Sequence, residues 1–247
     1  MSKQDCATTR GRVVATAGVV ALLTFALTWS ATIAVSQQAM AQSKHSGNHD
    51  GHNHDRPARE IKDVPEVELN KPSELPDVFI GKSDAKITII EYASITCGAC
   101  GNFHRKLLPE VKKKYIDTGI ARLIVREFPL ENVAAVAAMI ARCTGGENTY
   151  NAVSTMFDRQ QQWLRGDDVR EGLLAIAKEY GLTEKGFDQC LADKALLKKI
   201  ANIRSRAHKV FGVRSTPTFF INGKGLVGPR TVADFDKIIE PMLKQRQ

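Results

Sequence analysis

The chain has 247 residues, 43% of them hydrophobic and 25% charged, the balance of a soluble globular protein. That excludes a largely disordered chain, a collagen and a polytopic membrane protein, and the length allows one large domain or two small ones. Lys plus Arg is 35 against 27 for Asp plus Glu, a net charge of +8, without the basic stripe of a nucleic-acid footprint.

At the N-terminus, Lys3, Arg10 and Arg12 form a positive flank. An uncharged stretch follows, apolar from Val13 to Val35, and ends at the small-x-small run Ala39-Met40-Ala41. This order predicts an export signal over 1–41, cleaved near Gln42. The apolar run is 23 residues long. As a helix it would reach about 35 Å, enough to span a bilayer, so an uncleaved N-terminal anchor is the alternative. Either places the remainder outside the cytoplasmic membrane, in an oxidising compartment. Cys97, Cys100, Cys143 and Cys190 then form an even set, open to three pairings.

Residues 42–77 are polar and broken by Pro57, Pro65, Pro72 and Pro76, and read as an extended linker. Its His45, His49, His52 and His54 are interleaved with Asp50 and Asp55 and could chelate a late transition metal. A merely solvated histidine-rich linker is the simpler reading.

Order begins near residue 78. Lys86–Tyr92 reads as a buried strand. Phe103, Leu107, Leu108, Val111 and Tyr115 lie on one face of a helix kinked at Pro109 and ended by Asp117-Thr118-Gly119. Ala121–Phe128 is a second strand. Val133–Cys143, Asn151–Phe157, Val169–Tyr180 and Phe187–Leu191 read as helices, the fourth capped by Thr183 and Glu184. A long helix over about Lys194–Phe211 follows. Then come a strand at Thr218–Ile221, a hairpin turn at Asn222-Gly223, a short strand near Leu226-Val227 and a closing helix, Val232–Leu243.

The chemistry concentrates at Cys97-Gly98-Ala99-Cys100. The motif sits between a strand and a helix, which puts Cys97 at the helix N-terminus. The dipole and free N–H groups there favour a thiolate, and Cys100, one turn on, can resolve a disulfide. A structural zinc site would need a second ligand pair nearby, and only His104 is close.

Three segments, IIEYASITCGACGNFH, REFPL at 126–130 and STPTFFINGK at 215–224, resemble the DsbA-like thiol:disulfide oxidoreductases of the thioredoxin superfamily. The resemblance covers about residues 78–245. It implies an α/β thioredoxin fold with an inserted all-helical subdomain: a first half over 78–130, the insertion over 131–196 and a second half over 197–247. It implies a cis bond at Thr216-Pro217 facing the cysteines, a buried Glu91 that exchanges protons with the resolving thiol, and a non-catalytic Cys143–Cys190 disulfide. Two buried free thiols are the alternative for the last pair. His104 reads more simply as a surface helix residue. Gly98-Ala99 stands where the best-known member has Pro-His, which removes a side-chain donor. Cys97 is therefore expected to titrate at roughly 4–6, with a potential in the oxidising half of the thioredoxin-to-DsbA span.

The function implied is a periplasmic oxidase that introduces disulfides into newly exported, cysteine-containing proteins. A DsbB-like membrane protein would reoxidise it. It would act as a monomer, with no cofactor and no metal. An isomerase or reductase is the nearest alternative, and a metal-binding protein using the histidine segment the more distant one.

Overall fold

The computed structural model describes residues 58–245. The export segment and the histidine cluster lie outside the described residues. A six-stranded sheet forms the centre, in the order β1-β6-β5-β3-β4-β2. The strands are β1 (Arg59–Ile61), β2 (Val78–Ile80), β3 (Ile87–Ala93), β4 (Ala121–Glu127), β5 (Thr218–Ile221) and β6 (Lys224–Val227). β3 and β4 run parallel, joined by a helical crossover, and the other neighbours are antiparallel. β3 is buried along its whole length. This is why its sequence is a continuous apolar run rather than an alternating one.

Each face of the sheet carries its own core. Ile87, Ile89, Phe219 and Ile221 point to one side, against the active-site helix, the helical insertion and the C-terminal helix. Ile90, Tyr92, Ile124 and Phe220 point to the other, against Phe211, Val213 and Leu69. Period-two alternation splits these sets between two layers.

After α1 (Glu66–Leu69), the helix that follows β3 runs from Gly98 to Ile116. It comprises α2 (Gly98–Asn102), a π turn over Phe103–Leu107, α3 (Leu108–Val111) and a second π turn over Lys112–Ile116. The predicted distortion at Pro109 takes this form. Proline has no N–H for its turn, and the ladder widens so that Leu108 N–H reaches Phe103 O.

Between β4 and β5 lie α4 (Asn132–Cys143), α5 (Asn148–Asp158), α6 (Gln160–Arg165), α7 (Val169–Glu179), α8 (Glu184–Leu191) and α9 (Lys194–Lys209). The last element is α10 (Val232–Lys244). Thr183 caps α8, accepting from Gly186 N–H at 3.1 Å. Asn222 and Gly223 both take positive φ, 41° and 89°, as a tight hairpin requires.

Three expectations need correction. The polar linker does not extend to 77, because Arg59–Ile61 is a strand paired with β6 and Leu69 is buried. A three-residue strand shows almost no periodicity, and the prolines around it obscured it. The junction placed at 196/197 falls inside α9. The helix starts at Asp193, whose carboxylate caps it by accepting from Leu196 N–H at 2.9 Å. Finally, α6 lies between the expected helices Asn151–Phe157 and Val169–Tyr180, where no element was expected. Its start at Gln160 carries no cap, and its one fully enclosed aromatic, Trp163, bonds back to Met156 O at 2.7 Å.

Candidate active site

β3 ends at Ala93, and Ser94-Ile95-Thr96 turn the chain into α2 with Cys97 as its N-cap residue. β5 lies beside β3 in the register Tyr92↔Thr218. That pairing brings the loop before β5 against the same strand end. Thr216-Pro217 is a cis peptide, and the Cys97 thiol donates to Thr216 O at 3.4 Å. The sheet thus brings together two segments that are remote in sequence.

Cys97 is partly buried and Cys100 fully buried; both are unbonded thiols. The environment drives their acidities apart. The Cys97 thiol falls from an ordinary 9.0 to about 6. The main cause is a hydrogen bond from the Cys100 thiol. Burial opposes it, and the Thr216 hydroxyl with the N–H groups of Cys100 and Ala99 adds to it. Thr216 Oγ1 is buried with no other partner, so its proton can turn to a thiolate. The Cys100 thiol moves the other way, through burial and the charges of Cys97 and Glu91. One sulfur is an accessible nucleophile and the other a shielded, proton-retaining one, the division that thiol–disulfide exchange needs.

Glu91 is fully buried on β3. Its partner corrects the sequence reading: His104 is enclosed, not on the surface, with Nε2 2.9 Å from Glu91 Oε2 and both side chains at most 1% exposed. The imidazole stacks on Phe157 at 4.0 Å and meets the edge of Phe103 at 5.4 Å. His104 lies one turn beyond Cys100, and a widened π turn gives it its direction. Helical spacing alone does not reveal that direction.

Gln160 was also missed. It is fully buried and donates to Ile95 O at 2.6 Å and Cys97 O at 3.0 Å. A polar residue opening a short helix gives no sequence signal for this. Cys143 and Cys190 are joined in a disulfide with Cα atoms 6.2 Å apart, tying α4 to α8. Among the described residues no group of three or more His, Cys, Asp or Glu could hold a metal; the histidine segment lies outside them.

A partly accessible cysteine at a helix N-terminus, a buried second cysteine and a facing cis-proline loop thus lie together at one end of the sheet. The family model described as Thioredoxin matches residues 73–241. A protein of Rickettsia bellii, provisionally named a protein-disulfide oxidoreductase, is 33% identical over 66% of this chain and 65% of its own length. A similarly named Rickettsia prowazekii protein is 35% identical over 60% of this chain and 54% of itself. The chain thus spans about half to two thirds of these relatives. Among solved structures, Wolbachia pipientis alpha-DsbA1 superposes with a TM-score of 0.65 at 34% identity, over 73% of this chain and 96% of that one. Chlamydia trachomatis DsbA shares the fold, with a TM-score of 0.60 at 19% identity. The chain belongs to the thioredoxin family, on its DsbA-like branch.

Proposed function

We propose that this protein is an exported thiol:disulfide oxidoreductase that donates its Cys97–Cys100 disulfide to cysteine-containing proteins. The observation that carries the reading is the opposed acidity of the two thiols, about 6 at Cys97 and raised at Cys100. In the forward step a substrate thiolate attacks Cys97 Sγ. The Cys97–Cys100 bond breaks, and Cys100 leaves as a thiolate that takes up a proton. Glu91, held by His104, would exchange that proton. A second substrate thiolate then attacks the substrate sulfur of the mixed disulfide, and Cys97 leaves as a stable thiolate. Two electrons pass from substrate to enzyme. A DsbB-like partner would return the pair to the disulfide.

The depressed Cys97 pKa supports the oxidising direction, and its size matters. At pH 7 a fall from 9.0 to about 6 favours the reduced form by about 1.4 kcal/mol, or about 30 mV. Some 150 mV separate thioredoxin from DsbA, so this thiolate supplies only a part of that span. Donation then relies on an oxidising compartment as well as on the site. Equilibration with glutathione tests the reading. A potential clearly above thioredoxin's, about −270 mV, supports donation; one at or below it turns the reading to a reductase.

A further inference from the structure

We infer that Gln160 is a positioning residue for Cys97: the helical insertion, through this one amide, fixes the turn that carries Cys97 at the start of its helix. The inference rests on the redox reading above. Four residues, Ser94 to Cys97, connect the buried strand to the active-site helix. Their carbonyls at 95 and 97 face inward, and the Gln160 Nε2 group donates to both, at 2.6 and 3.0 Å. Cys97 O also receives the first helical bond, from Gly101 N–H at 3.0 Å. Gln160 therefore closes the same carbonyl that starts the helix, and so fixes where the N–H groups of Ala99 and Cys100 point. Those groups lower the Cys97 pKa.

The fit is close enough to constrain the sequence around it. A Cβ at Gly101 would lie 2.5 Å from Gln160 Oε1 and 2.7 Å from Arg105 Nη1, so the amide occupies the space a side chain would need. Arg105 makes a second link to the insertion, donating to Phe157 O. That link holds the following turn, not the nucleophile. Gln160 Oε1 is buried without a hydrogen-bond partner. An orphan acceptor costs free energy, and here it accompanies a donor group committed to two main-chain carbonyls.

Gln160→Met removes the donors at similar volume. We expect the Cys97 pKa, followed by ultraviolet thiolate absorbance, to rise by roughly half to one unit, the size of an ordinary hydrogen bond lost from the turn. The equilibrium constant for oxidising glutathione at pH 7 should fall roughly three- to sixfold. Trp163→Phe is the control. It removes the bond to Met156 O from the same short helix without touching Cys97, and should lower the melting temperature while leaving the thiol titration in place. Should Gln160→Met fail to fold, Gly101→Ala displaces the amide from the opposite side and should move the pKa in the same direction. Wild-type titration in Gln160→Met, or an equal shift in Trp163→Phe, overturns the proposal. The titration needs no substrate, so failure of the wild-type protein to exchange with glutathione would count against the redox reading alone.

Discussion

Cys97 links the stability of the reduced protein to pH. Its folded pKa, about 6, lies below the ordinary 9.0. The stabilisation of the reduced form is therefore complete above about pH 9, worth about 4 kcal/mol, and is lost as pH falls through 6. Denaturant unfolding of both redox forms should show the reduced form's relative advantage shrinking from pH 8 to pH 5; an unchanged difference would contradict the thiolate assignment. Glu91 and His104 permit a second prediction. In His104→Phe the ring can still stack on Phe157, but Glu91 loses its partner. A buried polar group left unpaired costs about 1–3 kcal/mol, and urea unfolding of the reduced protein should show that loss. His104 illustrates what the sequence withheld. The cysteine pair was legible from its motif between a strand and a helix, whereas the cis bond at Thr216-Pro217 and the burial of Glu91 were implied only by the family resemblance. The direction of a side chain on a widened helical turn depends on packing against Phe157, more than fifty residues away.

At the scale of elements, the Cys143–Cys190 bond ties α4 to α8 across 47 residues. Cross-linking a loop of that length is worth about 4 kcal/mol in the chain-entropy model. Replacing both cysteines with serine should lower stability by up to that amount and leave the Cys97 titration unchanged, as a melt and an absorbance titration would show. β1 depends on a different fit. A Cβ at Gly225 would lie 2.5 Å from Ile61 Cγ1 and 3.0 Å from Lys62 O. Gly225→Ala should unseat β1 and reduce amide-exchange protection in β6 selectively. The long elements, β3, β4, α4, α7, α9 and α10, were readable because an apolar run or a helical period accumulates over seven or more residues. β1, β2 and α6 have three to six residues each, and sheet pairing or a single buried tryptophan defines them instead.

For the whole molecule, the end of the sheet carries the cysteine pair and the insertion packs over one side of it. The thioredoxin pattern of strands was visible in sequence, since β3, β4, β5 and β6 are each marked by apolar runs or turn residues. The edges were not. Both outermost strands come from the N-terminal segment: β1 lies against β6 and β2 against β4. This arrangement has a consequence in time. β1 is made early and its partner, Lys224–Val227, near the end. Arg59 pairs with Val227, so almost the entire described chain must emerge before that ladder can close. A chain emerging N-terminus first would carry an open edge until β6 arrived, and the sheet would be completed only after α4–α9 had passed. Stalling synthesis just before residue 224 should therefore leave β1 open to protease, while release of the full chain protects it.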